Sequence, residues 1–349
     1  MFPVLQSYLE MYSEVLLFFV IIKCYLCLII EEDIQPITFK NVRMNLISQV
    51  LKTKDTLHIE SAENLRYFII GSSIDTVRIN NQVIPTLYEN SITDIKNVAV
   101  FDLSSNEIQG IEEGAFGNLG LIQSLNLSSN QIRVIRSDVF TNIDVKFLFL
   151  GHNTIFKIES GAFRDLNHLY FIDLSYNRIR NWDWRWFQGT SLKGINMKHN
   201  SLENLPDDAF KFLDELNIPD HQRILHHLLF DHNDIRIIQR HSFPRLKRLI
   251  FLDLSYNYIE TIFRGTFDNV ETLDKLDLSH NYLMYLDRNV FKHTKVGFLN
   301  LKDNFLFFFS LELAQVINLD NNPLNPYTKR EWDIWKRENG HLLNSPAYS

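Results

Sequence analysis

Residues 251–257 read FLDLSYN, and a near copy, FIDLSYN, occupies 171–177. Related stretches are FDLSSN at 101–106, SLNLSSN at 124–130 and KLDLSHN at 275–281. The Asn that closes each copy sets a ruler along the chain. It falls at Asn106, Asn130, Asn153, Asn177, Asn200, Asn233, Asn257, Asn281, Asn304 and Asn322, in steps of 24, 23, 24, 23, 33, 24, 24, 23 and 18 residues. A fixed period of roughly 20–50 residues decides an architecture before any local reading does, because each unit packs only on its neighbours.

The spacing inside a unit says how it folds. In the unit that ends at Asn130, Leu125 and Leu127 are two apart and share one face of a short strand, while Ser124, Asn126 and Ser128 face the other way. Ile132, Ile135 and Phe140 follow. An aromatic stands ten residues after the Asn in every regular unit, at Phe116, Phe140, Phe163, Phe187, Phe210, Phe243, Phe267 and Phe291. Each coil therefore sends five or six apolar side chains inward, stacked coils join them into one core, and the aromatics are expected to form a single ladder. The Asn follows the strand where the chain must bend. Its side chain carries one acceptor and two donors, so stacked Asn residues can satisfy the turning backbone of adjacent coils. All ten are expected to be structural.

The pattern L-x-x-L-x-L-x-x-N-x-I-x-x-I-x-x-x-x-F resembles the leucine-rich repeat family from about Ile74 to Pro326. The 24-residue period is similar to its extracellular subclass, which includes Toll-like receptor ectodomains and insect adhesion and immune proteins. The resemblance implies an α/β-type repeat solenoid, a horseshoe with a parallel β-sheet on its concave face and an irregular or short-helical convex side. It also implies a protein ligand or receptor as partner. Extracellular members carry Cys-rich caps, and here the C-terminal stretch NPLNPYTKREWDIW has Pro326 and Thr328 where those cysteines would stand. Trp332 and Trp335, one helical turn apart, are positioned to pack a cap without disulfides.

Outside the array the chain divides simply. Residues 1–30 contain the apolar run Val15–Ile30, interrupted by Lys23, which reads as a signal peptide or an uncleaved anchor. Residues 31–73 are an N-terminal cap, 74–325 a solenoid of about eleven units beginning with Ile74, Val77 and Ile79, and 326–349 a cysteine-free cap and tail. The only cysteines, Cys24 and Cys27, lie in the apolar run. With no second pair they do not read as a zinc or redox motif. A net charge of −7, with no long basic cluster, argues against a nucleic-acid surface. Contact with a membrane is expected only through an uncleaved N-terminal segment.

No G-x-S-x-G, H-E-x-x-H or P-loop occurs, so no catalytic residue is assigned and the chain reads as a non-enzyme. His152, His199, His232 and His280 each precede a ruler Asn. They fill a slot that Ser, His and Tyr share, and neither metal nor cofactor is assigned. Binding candidates lie where units depart from the pattern. The middle column of the sheet face is Asp or Asn except at Phe149 and Leu229. Phe147, Phe171 and Tyr176 lie near Phe149, and Phe251 and Tyr256 near Leu229. Such apolar clusters on a solvated face mark partner sites. Trp184 replaces a polar residue and is expected to be exposed on the convex side. The 33-residue step carries an insertion, DELNIPDHQRI, between Leu213 and Leu225, and the run Phe305–Phe309 is expected to close the core. Asn126 is the one glycosylation sequon, Asn126-Leu127-Ser128. The reading is a secreted protein that binds a protein partner through the concave face. A type II anchored adhesion or structural protein and a cytosolic scaffold stay open.

Overall fold

The computed structural model describes residues 37–49, 52–65, 74–213, 224–243 and 246–344. The described residues from Thr38 onward belong to one compact unit. The run Val15–Ile30, with Cys24 and Cys27, and nearly all of the insertion (residues 214–223) lie outside the described residues.

This unit is a solenoid. Its strands are β1 (Phe39–Ser48), β2 (Thr53–Ala62), β3 (Thr76–Arg78), β4 (Val100–Asp102), β5 (Leu121–Asn126), β6 (Asp144–Phe149), β7 (Phe171–Asp173), β8 (Gly194–Asn196), β9 (Ile224–Leu229), β10 (Arg248–Asp253), β11 (Thr272–Asp277), β12 (Lys295–Asn300) and β13 (Val316–Asn318). They form one 13-stranded sheet in which β3 to β13 run parallel in chain order. Strand pairing holds this side of each coil at the spacing of a hydrogen bond, so it is the shorter, concave side. On the convex side the units have only two-residue strands, such as Val134–Ile135 on Lys157–Ile158, and short 3₁₀ turns such as Trp184–Phe187.

The first end of the sheet is reversed. β1 pairs antiparallel with both β2 and β3. Phe39, Val42, Met44 and Leu46 alternate inward from β1 onto the first coil. Among the described residues β2 is the free edge, and it exposes Lys54, Asp55, His58 and Glu60, charges that discourage another strand from adding to it. At the other end a helix, α1 (Pro326–Asn339), covers the last coil. Asn325 caps it by accepting from the Tyr327 and Thr328 N–H groups, and Pro326 occupies the first turn, where no N–H is needed. Trp332 is buried, and the Trp335 ring lies 5.1 Å from it in a stacked pair. Thr328, in the place of a family cysteine, is also buried.

The core follows the repeat. Ile122, Leu125, Leu127, Ile132, Ile135 and Phe140 of a single unit are all buried. The aromatics do not make one ladder. Phe116, Phe140, Phe163 and Phe187 stack at 5.6–5.9 Å, and Phe210, Phe243, Phe267 and Phe291 at 5.3–5.4 Å. Between the two runs the Trp182 ring is wedged 5.7 Å from Phe187 and 5.3 Å from Phe210, and Phe212 packs 5.5 Å from Phe187. The long step begins beside this break. In the run Phe305–Phe309, only Leu306 and Phe309 are buried; Phe305, Phe307 and Phe308 are exposed. The bend after Asn304 divides the run between core and solvent.

Candidate functional site

The ruler Asn residues are held by the backbone of two coils, the preceding one and their own. Asn257 is typical: its Oδ1 accepts from the Ile235 N–H of the preceding coil at 3.0 Å. Its Nδ2 donates to Phe230 O of that coil at 2.9 Å and to Leu254 O and Ser255 O of its own at 3.1 Å. Asn106, Asn130, Asn153, Asn177, Asn200, Asn233, Asn281, Asn304 and Asn322 repeat the bond to a carbonyl of the preceding coil.

The residue before each Asn takes a left-handed backbone, with φ between 50° and 61° from Ser105 to Asn321. Branched side chains are poor there, and the slot holds only Ser, His, Tyr, Asp and Asn. The bend throws the side chain onto one rim of the sheet. Each slot N–H donates to the next coil, as Tyr176 N–H does to Lys198 O and His199 N–H to Asp231 O. Successive rings are thereby brought into register. His152, Tyr176, His199, His232, Tyr256 and His280 form one continuous stack, with centroids 4.0–4.3 Å apart and planes within 25°. The gaps between histidines in the sequence pattern are filled by the two tyrosines.

The binding candidates therefore separate into two places. Phe147, Phe149 and Phe171 are half-buried on the sheet face. Phe149 lies 6.3 Å from Phe171, and Phe147 meets Tyr170 edge-on at 5.9 Å with Lys146 Nζ over both rings. Phe171 can lie flat because Gly194 is its neighbour on β8; a Cβ there would stand 2.7 Å from Phe171 Cδ2. Tyr170 extends the patch, its hydroxyl 2.8 Å from His226 Nδ1. Burial, then the charge of His227, holds His226 below the ordinary imidazole range. Tyr176 and Tyr256 do not join these groups, because the left-handed slot puts them in the rim stack. Leu229 and Phe251 form a second, smaller face, where Phe251 has His227 at 6.4 Å and Lys275 Nζ at 4.5 Å over its ring.

Trp184 is half-buried rather than exposed. Asp183 caps the turn Trp184–Phe187, which lays the indole against the core under Lys211, whose Nζ is 5.5 Å from the ring. Asn126 is half-buried on the sheet face. Its Oδ1 accepts from the Ser128 N–H and hydroxyl, and its Nδ2 donates to Asp102 Oδ1 at 3.2 Å. A glycan on Nδ2 would displace that last bond.

A second aromatic row was not assigned from the sequence. Tyr258, Tyr282 and Phe305, each directly after a ruler Asn, stack at 5.7 and 5.6 Å and are exposed. With His232, Tyr256, His280 and Asp303 they line a groove of about 480 Å³. Its signal was present: an aromatic at one position in three successive units. Among the described residues no helix is long and apolar enough to cross a membrane.

No curated protein matches the chain. Among solved structures it is similar to a chain of the octameric complex of Latrophilin 3 (Lec, Olf), Unc5D (Ig, Ig2, TSP1) and FLRT2 (LRR). The identity is 20% over 69% of this chain and 81% of that one, with a TM-score of 0.47. It is also similar to a chain of the Drosophila Toll–Spatzle complex, at 17% identity over 72% of this chain and 42% of that one, with a TM-score of 0.45. The family model described as Leucine rich repeat matches residues 72–132, 122–179, 168–218 and 223–283, which together span more than half of the chain. With the Asn bonds and parallel coils already in register with those matches, the chain belongs to the leucine-rich repeat family.

Proposed function

We propose that the chain is a secreted leucine-rich repeat protein that captures a protein partner on its concave face, in innate immune recognition or cell adhesion. The observation that carries this reading is the cluster of Phe147, Phe149, Tyr170 and Phe171, half-buried on a sheet face whose middle column is otherwise Asp or Asn except at Leu229. Aromatic rings held by neighbours lose little freedom on binding and serve as anchors. Lys146, beside two of them, favours an acidic rim on the partner. Leu229 and Phe251 supply a second contact, and Tyr176 and Tyr256 contribute from the rim. The 24-residue register supports the extracellular setting, and Asn126 is the glycan acceptor of this reading. The chain acts by binding rather than by catalysis.

The full chain is expressed in insect cells, and the N-terminus and glycan state of the medium fraction are determined. A processed N-terminus beyond residue 30 is expected. Retention in the membrane fraction with Val15–Ile30 intact would favour an anchored adhesion protein instead. Retention in the cytosol would favour a scaffold. The secreted protein is then screened against an array of extracellular domains. Phe149→Asp with Phe171→Asp is expected to leave the fold intact and lower affinity for the captured domain at least tenfold. Unchanged affinity in the folded double variant would remove this patch.

A further inference from the structure

His199, Asp231 and His232 present one donor atom each, all within 4.8 Å of one another. The group lies in the middle of the rim stack, where His199 and His232 are adjacent rings at 4.2 Å. We infer that these three side chains form a site for a divalent transition-metal cation, with Zn²⁺ as the best-matched ion.

The argument begins with what is unusual about Asp231. It occupies the position two before the ruler Asn, where five units have Ser104, Ser128, Ser175, Ser255 and Ser279 and the others have Gly151, Lys198, Lys302 and Asp320. Those serines donate backbone N–H groups to the Asp or Asn two residues earlier, as Ser255 does to Asp253 and Ser279 to Asp277. In the unit of Asp231 the earlier residue is Leu229, which has no acceptor to offer. A carboxylate thus stands where a donor is usual, beside a neighbour that cannot bond to it. Asp231 is only 5% exposed, and its Oδ1 is buried with no hydrogen-bond partner among the described residues. Lys198 Nζ stands 3.6 Å away, beyond hydrogen-bond reach. A buried carboxylate oxygen left so is costly, and a metal ion would satisfy it.

The donors fit a zinc site. His232 Nδ1 is hydrogen-bonded to Asp231 Oδ2 at 3.0 Å, a bond the ion would replace. Ligands bound at ~2.1 Å to a tetrahedral zinc stand about 3.4 Å apart. His232 and Asp231 are already slightly inside that separation. His199 must tilt toward them, because parallel stacked rings do not aim their lone pairs at a common point. The rim gives it room, since His232 is more than a third exposed and His199 half-buried. Two imidazoles and one carboxylate suit zinc and its neighbours rather than Mg²⁺ or Ca²⁺, and the fourth position is left to solvent. Lys198 is the resident counter-charge and swings away when the ion enters.

The test uses the full chain without an affinity tag and Zn²⁺ titrated in competition with a chromophoric chelator at pH 7.5. One equivalent is expected to bind with a dissociation constant in the micromolar range or below. His199→Ala and Asp231→Asn are each expected to weaken binding at least tenfold. His152→Ala, at the end of the same stack, leaves it unchanged. Lys198→Ala binds at least as tightly as the parent. Circular dichroism establishes that each variant is folded. The inference is overturned by absence of stoichiometric binding to the parent chain, by undiminished binding in folded His199→Ala/His232→Ala, or by weaker binding in Lys198→Ala.

Discussion

His199 and His232 stack at 4.2 Å although 33 residues separate them, where the regular step is 23 or 24. The spacing equals that of the other ring pairs because it is set locally. His199 N–H donates to Asp231 O at 3.0 Å, and Ile195 pairs with Leu228 in the sheet. The extra residues leave after the 3₁₀ turn Lys211–Leu213 and return at Ile224, so the concave side keeps its register.

The Asn bonds should be individually expensive to lose. Asn257→Ala leaves Ile235 N–H of the neighbouring coil buried and unpaired, while Phe230 O keeps its bond from Asn233 Nδ2. At ~1–3 kcal/mol for an orphaned buried group, the expected cost is about 1–3 kcal/mol. The readout is amide hydrogen exchange, since one global midpoint is a poor measure for a repeat array. Ile235 N–H should exchange at least tenfold faster; unchanged protection would show that the backbone finds other partners.

The break in the phenylalanine stack should be the weak joint of the core. Trp182 bridges Phe187 and Phe210 and also donates from Nε1 to Ala209 O at 2.6 Å. Trp182→Ala is expected to cost about 3–5 kcal/mol. Urea unfolding followed by circular dichroism should then separate into two transitions, one for each stacked run. A single transition at the original midpoint would contradict this.

Asp253 should make stability depend on pH. Burial first, aided by the charges of Asp277 and Asp231 and opposed by the hydrogen bonds it accepts from Ser255, leaves its carboxyl pushed up to about 6 from 3.8. The folded chain therefore holds this proton more tightly than the unfolded chain. The contribution is most favourable below about pH 4 and is lost as pH rises through about 6, by at most ~3 kcal/mol. Asp253→Asn fits, because Asn126, Asn196 and Asn300 fill the same column in other units. The variant should be more stable than the parent at pH 7.5 by about 1–3 kcal/mol and no more stable at pH 4. An equal difference at both pH values would assign the effect to something other than this proton.

Two glycine substitutions should separate a side chain that can yield from a backbone that cannot. A Cβ on Gly194 meets Phe171 Cδ2 at 2.7 Å, and one on Gly297 meets Asp274 O at 2.5 Å. The Phe171 ring is half-exposed and can rotate, so Gly194→Ala should cost less than about 1 kcal/mol. It should also weaken capture by the proposed patch. Gly297→Ala must push a neighbouring strand and should cost about 1–3 kcal/mol. Equal losses in urea midpoint would mean that Phe171 is held as firmly as the strand.

The architecture was legible in the sequence because it is periodic. The Asn ruler, the pair Leu252 and Leu254, and the aromatic ten residues on each depend only on the neighbouring copy, so one unit's pattern states its contacts. Failures of reading came where contacts leave that pattern. Trp184 looked exposed by comparison with Glu113 and Ser137, but its turn and Lys211 cover it. The run Phe305–Phe309 looked uniformly apolar, and the bend after Asn304 divided it between core and solvent.

The sequence by itself determined the solenoid, the inward positions and the departures at Phe149 and Leu229. Only the tertiary structure decided which departures meet. The repeat register puts Tyr176 on the coil next to Phe149, yet a left-handed backbone at Tyr176 carries its ring to the rim between His152 and His199. Histidines that seemed to be spaced by gaps became one stack, because side-chain direction at a bend is set by φ and by the hydrogen bond to the next coil. For the same reason Asp231 meets His199 across the longest step in the array: sheet pairing fixes the distance between coils, and the number of residues between them does not.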